Sequence, residues 1–211
     1  ILDLEISPHF VDDHTLMLVT YTQLAVSHDA GQTWDVRPLP ALYYNPTLFV
    51  TGQTSLYLSL QSHLGGPPFD KVGTYYSVDE GVTWQKFPQS PIVKGISPFF
   101  EQDGTMIANA DGLCGASLCL STDRGQTWSA PQSDPGYVRK VLFSPTNDLD
   151  HTIYAKMQTE VLFISTDSGV TWQHIEVDDP SGYRHVVIDF VLSPRYVEDH
   201  AIWLHGGQYG F

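Results

Sequence analysis

Short apolar segments recur along the whole chain, and each is followed by a turn of small and polar residues. The pattern is clearest between residues 138 and 177. It predicts four strands there, at Val138–Ser144, His151–Met157, Val161–Ser165 and Thr171–Val177. These segments alternate or are short, aromatic and β-branched, which is typical of strands, and the 3.6-residue spacing of helices is absent. Prolines fall at strand ends, where no ladder hydrogen bond is lost. The pattern therefore predicts an all-β fold.

The turn after the third strand has a fixed sequence, Ser-x-Asp-x-Gly-x-Thr-Trp, that occurs four times. The copies are Ser27–Trp34, Ser77–Trp84, Ser121–Trp128 and Ser165–Trp172. Successive tryptophans lie 50, 44 and 44 residues apart, which is the length of a four-stranded propeller blade. Four matches at five fixed positions are a strong repeat signal.

A second motif lies between the copies of the first. It consists of Ser-Pro or Asn-Pro after an apolar run, and in most copies an Asp-His or Asp-Gly pair follows, which predicts a tight hairpin turn with unusual backbone angles. Together the motifs predict one β-propeller domain over residues 1–211, with four complete four-stranded blades and a partial fifth. The approximate blade limits are 1–40, 41–90, 91–135, 136–180 and 181–211.

The residues of the octapeptide fit a turn that stabilises itself. A short Asp carboxylate accepts hydrogen bonds from nearby backbone amides, Gly adopts positive φ, and Trp packs between blade layers. A calcium loop needs six to eight oxygen ligands, and each copy has one invariant acid, so we expect scaffold and no metal. The scaffold residues are Asp29, Gly31, Trp34, Asp79, Gly81, Trp84, Asp123, Gly125, Trp128, Asp167, Gly169 and Trp172.

The octapeptide resembles the Asp-box, or BNR repeat. Asp-boxes occur in sialidases, sortilin-type receptors, xyloglucan-cleaving glycosidases and a photosystem assembly factor, and the resemblance is closest to bacterial BNR-repeat proteins that also carry a Ser-Pro-x-x-x-x-Asp-x-Thr strand. It covers nearly the whole chain. The resemblance implies the propeller fold, but it indicates function only weakly, because one fold hosts many activities.

The chain is strongly acidic, with 24 Asp and Glu against 10 Lys and Arg and a net charge of −14. Such a surface repels nucleic-acid phosphates and anionic lipid, and no apolar run is long enough to span a membrane. We therefore expect neither nucleic-acid partners nor membrane insertion. The two cysteines, Cys114 and Cys119, flank a predicted hairpin, and their spacing permits either a disulfide, which suits an extracellular protein, or a free buried pair.

The fifth blade starts at His185–Pro194 and continues through Ala201–Gly207, and no fifth Asp-box follows. The first residues of the chain already serve as the innermost strand of blade one. Because propellers close by completing their last blade, the sequence predicts that a further segment of a longer protein, or another subunit, completes this one.

Catalytic chemistry on this fold requires acids where innermost strands meet the axis. Asp3, Glu5 and Asp189 lie on predicted innermost strands, near Lys94, Arg139 and Lys140, and are weak candidates for a glycosidase pair; charge compensation in a wet channel is the alternative. A sialidase is disfavoured because the family's Arg-Ile-Pro motif is missing. No zinc-type histidine spacing occurs, so we expect no metal and no cofactor.

The sequence favours a non-catalytic extracellular or cell-surface propeller that binds or scaffolds a protein or glycan partner. One alternative is a sialidase- or xyloglucanase-like glycoside hydrolase whose catalytic residues lie partly outside these 211 residues. Another is an assembly factor for a larger complex. The aromatic pairs Tyr43–Tyr44, Tyr75–Tyr76 and Phe99–Phe100 either stack on sugars or pack within the blades.

Overall fold

The computed structural model describes residues 1–41, 44–52, 54–61, 72–89, 91–109, 112–177 and 185–208. These residues contain seventeen β-strands and four helices of a single turn. Where pairing is described, each strand runs antiparallel to the next strand along the chain. The predicted all-β class is therefore confirmed. Within the described ranges, the helices are all too short to cross a membrane.

The chain forms two compact units, Ile1–Val93 and Lys94–Phe211. The first unit holds two four-stranded sheets, each in sequential order. Their strands are β1 Asp3–Ile6, β2 Leu16–Val19, β3 Gln23–Ser27, β4 Asp35–Pro38, β5 Tyr44–Val50, β6 Leu56–Gln61, β7 Gly73–Ser77 and β8 Gln85–Lys86, and helix α1 spans Phe10–Asp13. The prediction that residues 1–211 form one domain stays a prediction.

The unit boundary falls within β9, and the second unit continues with three more sheets of three, four and two strands. The strands are β9 Ile92–Ile96, β10 Met106–Asn109, β11 Leu118–Ser121, β12 Val138–Phe143, β13 Ile153–Met157, β14 Leu162–Ser165, β15 Gln173–Ile175, β16 His185–Leu192 and β17 Ile202–Gln208. The helices are α2 Phe100–Asp103, α3 Asn147–Asp150 and α4 Tyr196–Asp199.

The five sheets follow one another in sequence order along the chain. In the third, an isolated bridge between Leu120 and Ser129 stands in place of a fourth strand, and the fifth has two described strands. The strands of the fourth sheet lie within two residues of the limits that the sequence predicts. Alternate residues of β2 are buried, whereas every residue of β11 and β13 is buried. Met17, Leu58 and Ile153, for example, are fully excluded from solvent.

Each Asp-box closes on itself through its own side chains. In the fourth copy, Thr171 donates to Asp167 from its backbone N at 2.8 Å and from its hydroxyl at 2.5 Å, and the Ser165 hydroxyl donates to the same carboxylate at 2.8 Å. The Ser165 oxygen accepts the N–H of Gly169 at 2.8 Å. The other three copies repeat all four bonds. The repeated residues are thus a repeated hydrogen-bond network.

The second motif forms a helical turn where the sequence predicts a tight hairpin. In the fourth sheet, the Ser144 hydroxyl donates to Asp150 at 2.5 Å, and the same carboxylate accepts the N–H of Thr152 at 2.8 Å. Helix α3 lies between these anchors and ends at Asp150, and His151, which caps it, has φ of 53°. The expected unusual angle thus belongs to the residue after Asp. His14, Gly104 and His200 hold the same position in the other copies, with φ of 52°, 61° and 48°.

The two turns are joined by one backbone hydrogen bond. The N–H of Ser168, inside the Asp-box, donates to the carbonyl of His151 at 3.0 Å, and Ala30 and Arg124 make the same bond to His14 and Gly104. Ser168 has positive φ, at 60°, as do the matching residues of the other boxes. The interleaving of the two motifs in the sequence therefore reflects one composite structure in each of the first, third and fourth sheets.

Candidate functional site

Asp3 and Glu5 lie on β1, two residues apart and therefore on one face of the strand. The carboxylate of Asp3 accepts the backbone N–H of Leu48 on β5 at 2.9 Å and that of Leu4 at 3.1 Å. Asp3 therefore links the first strands of two sheets. Its hydrogen bonds fit a structural role.

Glu5 differs from Asp3 because its carboxyl group has no hydrogen bond or ion pair within the described residues. Burial, and secondarily the charge of Asp3, raise the pKa of Glu5 to about 7. The protonation of Glu5 therefore changes near neutral pH. A shifted acid of this kind is a feature of functional sites, although it also occurs in structural positions.

Asp189, the third acid that the sequence indicates, lies on β16 in the other unit, where it pairs with a lysine. The Nζ of Lys140 lies 2.8 Å from Asp189 and 2.9 Å from the carbonyl of Phe190. Partial burial would raise the pKa of Asp189, but hydrogen bonds from Lys140 and the Phe190 N–H, with the charges of Lys140 and Lys156, lower it. Asp189 is therefore ionised at neutral pH and unsuited to act as a general acid.

Lys140 belongs to a larger group of charges on or near the first strands of the sheets in this unit, β9, β12 and β16. We call this group the inner-strand cluster and define it as Lys94, Arg139, Lys140, Lys156, Glu160 and Asp189. Glu160 contacts both Lys156 and Arg139, the latter at 3.4 Å. By this definition the cluster has four cations and two carboxylates. It is thus a positive region in a chain whose net charge is −14.

Lys94 is the cation of the cluster that lacks a partner. Its side chain is buried, with 8% of the residue exposed, and within the described residues it has neither a hydrogen bond nor an ion pair. Burial, with the nearby charge of Arg139, lowers the pKa of Lys94 to about 8. Lys94 therefore has no counter-ion among the described residues.

Sequence reasoning placed Lys94, Arg139 and Lys140 near the axis but missed Lys156 and Glu160. Lys156 lies on β13 among apolar residues and is 4% exposed. The signal was present, because a lysine within the apolar strand Ile153–Met157 requires a partner. That partner, Glu160, lies four residues on in the turn before β14, and strand patterns do not predict such a contact.

The other candidate features have structural contacts. Cys114 and Cys119 are joined by a disulfide, with Cα atoms 6.0 Å apart. Phe100 is buried, and Tyr76 packs edge-on against Phe87 with ring centroids 5.5 Å apart. Tyr43, in the remaining aromatic pair, lies outside the described residues. No group of three His, Cys, Asp or Glu residues suited to a metal ion is found among the described residues.

The four Asp-box turns, together with antiparallel sheets whose strands follow sequence order, are typical of Asp-box repeat proteins. The chain contains BNR/Asp-box repeats, and its fold is similar to that of β-propellers. A family model described as the BNR/Asp-box repeat matches residues 75–86 and 120–130, within the second and third copies.

One curated relative is the vacuolar protein sorting/targeting protein PEP1 of Saccharomyces cerevisiae. It is 28% identical over 80 residues, which cover 38% of this chain and 5% of that protein. The chain thus spans a small part of this relative's length. The likeness gives no assignment of the relative's activity to this chain.

Three solved structures are similar in fold. YCF48 bound to a D1 peptide is 19% identical, with a TM-score of 0.56 over 92% of this chain and 57% of that chain. An ancestral GH74 enzyme is 17% identical, with a TM-score of 0.61 over 92% of this chain and 26% of that chain. The GH74 xyloglucanase from Xanthomonas campestris is 15% identical, with a TM-score of 0.60 over 92% and 33%. At these identities the comparisons show the fold alone.

Proposed function

We propose that this chain is a non-catalytic binding propeller whose partner is a protein or peptide. The observation that carries the proposal is the inner-strand cluster, which leaves positive charge uncompensated in a strongly acidic protein. Opposite charges in a partner would complement it and favour association. YCF48, a solved structure of similar fold, binds a peptide, and this supports the same mode for this chain.

The burial and packing of the candidate aromatic pairs favour a protein partner over a glycan. Sugar recognition relies on exposed aromatic faces, whereas Phe100 and Tyr75 are buried and Tyr76 packs on Phe87. The described aromatic residues of these pairs therefore offer less support for a glycan than the charged cluster offers for a protein partner.

The binding proposal is tested by selecting displayed random peptides against the immobilised chain, with a glycan array screened in parallel. We expect the peptides to converge on a shared sequence that binds in solution. A Lys94→Met variant should bind those peptides more weakly than an Arg195→Gln variant, since Arg195 is an exposed arginine outside the cluster. Enrichment on the glycan array without any peptide consensus would contradict the proposal.

A glycoside hydrolase is the second candidate, and the raised pKa of Glu5 beside Asp3 is the observation that favours it. Residues i and i+2 of a strand lie roughly 7 Å apart, near the carboxyl separation of inverting glycosidases. The hydrogen bonds that hold Asp3 argue against it. Turnover of aryl glycosides or xyloglucan that a Glu5→Gln variant loses would establish this candidate and exclude the non-catalytic one.

We also propose an extracellular or cell-surface location. The Cys114–Cys119 disulfide supports it, because such bonds persist in oxidising compartments. The test is protease treatment of intact cells of the source organism followed by immunoblotting. Degradation of the protein is expected, and full protection in intact cells, with loss only after lysis, would contradict the proposal.

A further inference from the structure

The first strands of the second to fifth sheets are each held at a backbone N–H by a group from the sheet before. These N–H groups belong to Leu48, Val93, Val138 and Val187, and their acceptors are the Asp3 carboxylate, the Thr74 hydroxyl, the Asn109 carboxamide and the Glu160 carbonyl. The position of a first strand thus depends on a contact outside its own ladder.

Asn109, the last residue of β10, makes this contact in both directions with a single residue. Its Nδ2 donates to the carbonyl of Val138 at 2.7 Å, and its Oδ1 accepts the N–H of Val138 at 3.0 Å. Val138 is the first residue of β12 and is 1% exposed. A buried residue whose two backbone groups are both bound to one carboxamide cannot shift along the strand without losing both bonds.

Arg139, the next residue on β12, lies at a bulge in the ladder. Val138 pairs with Met157 and Lys140 pairs with Lys156, so Arg139 has no partner on β13. A bulge of this kind re-aims a side chain relative to the sheet. It also leaves Lys140 directly opposite Lys156, and like charges in opposite positions destabilise a sheet. The charges of these strands therefore oppose this register, and other contacts maintain it.

The hairpin that carries Asn109 is fastened in two ways. Asn109 pairs with Leu118 in the β10–β11 ladder, and the Cys114–Cys119 disulfide closes the hairpin beside this pair. The carboxylate of Asp134, in the segment that leads into β12, accepts the N–H of Ser117 at 2.8 Å. The hairpin and the start of β12 are therefore joined at two points, at Asp134 and at Asn109.

Arg139 is the most exposed of the three cations that form ion pairs in the inner-strand cluster. Its side chain is 57% exposed, whereas those of Lys140 and Lys156 are 34% and 5% exposed. Its guanidinium lies 3.4 Å from a carboxylate oxygen of Glu160. A guanidinium has five N–H donors, so a contact with one carboxylate leaves donors free for a second.

We infer that Asn109 is a positioning residue of the peptide site, an inference that rests on the proposed peptide-binding function. Asn109 fixes Val138, Val138 fixes the bulge, and the bulge directs the guanidinium of Arg139 toward a carboxylate of the peptide. Asn109 acts through Arg139 and does not itself contact the peptide.

The positioning is tested first without any peptide, by NMR of the ¹⁵N-labelled chain. Asn109→Leu removes both bonds to Val138, and Asn109→Gln keeps the carboxamide on a longer side chain. Ser133→Ala is the matched control, because the Ser133 hydroxyl accepts the N–H of Trp172 at 2.9 Å and donates to its carbonyl at 3.4 Å, outside the cluster. The signals followed are hydrogen exchange of the Val138 amide and the Nε–H resonance of Arg139.

We expect Asn109→Leu to speed exchange of the Val138 amide by about tenfold, as for the loss of two hydrogen bonds, and to shift the Arg139 resonance. Asn109→Gln should produce smaller changes in both signals, and it carries the test if the amide spectrum shows that Asn109→Leu does not fold. Ser133→Ala should change neither signal. An Arg139 resonance that is the same in both Asn109 variants as in the unaltered chain would overturn the inference.

The second test is a double-mutant cycle of affinity for peptides selected on the unaltered chain. Arg139→Gln should weaken binding by about tenfold, as for the loss of one charge-assisted hydrogen bond, and Asn109→Leu by about threefold. In the Arg139→Gln background, Asn109→Leu should have no further effect, because a positioning residue acts through the residue that it positions. Each peptide is used with a free and with an amidated C-terminus, which separates a terminal carboxylate from a side-chain carboxylate.

Equal losses from Asn109→Leu in both backgrounds would give Asn109 a merely structural role and overturn the inference. If selected peptides bind and neither variant alters their affinity, the peptide-binding function stands and the inference is wrong. If no peptide is enriched, the proposed function fails, while the Arg139 resonance still decides whether Asn109 positions the guanidinium.

Discussion

The tryptophan that ends each Asp-box makes one contact that differs between copies. Trp34, Trp128 and Trp172 donate from Nε1 to the carbonyl of the box glycine, at 3.1, 3.1 and 3.0 Å. In the second copy the Nε1 of Trp84 is buried without a partner. A satisfied indole N–H stabilises the fold modestly, whereas an unsatisfied buried one costs free energy.

This difference predicts unequal effects of the same substitution. Trp172→Phe should destabilise the protein by about 1–3 kcal/mol more than Trp84→Phe, because the first removes a hydrogen bond and the second removes an unpaired donor. Because Trp172 is buried and Trp84 partly buried, Trp128→Phe is the matched comparison, since Trp128 is also partly buried and makes the same hydrogen bond as Trp172. The free energy of unfolding from denaturant titration measures the difference, and equal losses would contradict it.

Glu5 gives a residue-scale prediction about pH. Its pKa of about 7 in the folded chain exceeds the ordinary 4.5, so between these values the folded state binds a proton that the unfolded state does not. Stability therefore falls as pH rises through this window and is lowest above pH 7 for this group. Glu5→Gln should stabilise the protein by about 1–3 kcal/mol at pH 8 and leave it nearly unchanged at pH 4.5.

The measurement is the free energy of unfolding of both proteins at the two pH values. Glu176→Gln removes the same charge from an exposed position and is the control for net charge. Equal effects of Glu5→Gln at both pH values would show that burial of Glu5 is not coupled to its ionisation.

At the scale of the element, Gly95 matters because the second unit requires β9 and β12 to touch there. A Cβ at this position would meet Val141 at 2.6 and 2.7 Å and Phe143 at 3.1 Å. Gly95→Ala should therefore destabilise the chain by about 1–3 kcal/mol, the usual cost of overpacking. The double variant with Val141→Ala should recover part of the loss, and this coupling is read from a double-mutant cycle of unfolding free energies. Additive effects would mean that the two residues are not in contact.

The second feature at the scale of the element is the composite turn, in which the Asp-box is hydrogen-bonded to the Ser-Pro motif. The Asp-box and the Ser-Pro motif are separate in the sequence, yet the bonds from Ala30, Arg124 and Ser168 join them in three sheets. In the second sheet, the N–H of Glu80 bonds to the carbonyl of Thr54 instead. A blade is thus fixed at its turns as well as through its strand ladder.

At the scale of the whole molecule, the turns distribute acidic hydrogen-bond acceptors along the chain, and this predicts how it responds to acid. Hydrogen bonds from Thr33 and Ser27 lower the pKa of Asp29 to about 2, and those from Thr83 and Ser77 do the same for Asp79. The pKa values of other turn carboxylates are lowered by similar hydrogen bonds, which outweigh burial where burial opposes them. These residues are Asp13, Asp123, Asp150, Asp167 and Asp199.

The sign of the effect follows from these lowered values. The unfolded chain binds more protons below its ordinary Asp pKa of 3.8, so the stabilisation is present above that value and is lost as pH falls toward 2. Denaturant titrations at pH 5, 3.5 and 2 should show a steep fall in unfolding free energy. The variant Thr83→Val, which removes a donor to Asp79, should reduce the slope relative to the exposed-site variant Asp148→Asn. A constant stability from pH 5 to 2 would contradict this account.

The sequence by itself determined the fold class, because the repeated residues specify the local structure of each turn and strand. Asp, Gly and Thr at fixed spacing specify a self-bonded turn, and alternation specifies strands, so that Val138–Phe143 and Leu162–Ser165 lie where the pattern predicts them. It also identified Lys94, Arg139, Lys140 and Asp189 as charged residues of the first strands of their sheets. It did not specify the helical turn ending at His151, since a single helical turn is too short to produce a periodic pattern.

Only the tertiary structure decided which charges meet. Lys156 forms an ion pair with Glu160 across a turn, and Lys140 forms one with Asp189 on another sheet. Lys94 lies buried without a partner among the described residues. Such contacts depend on distances between strands that are far apart in sequence, and a pattern along one strand carries no information about them. The fold is therefore local in origin, whereas the candidate site arises from the packing of sheets.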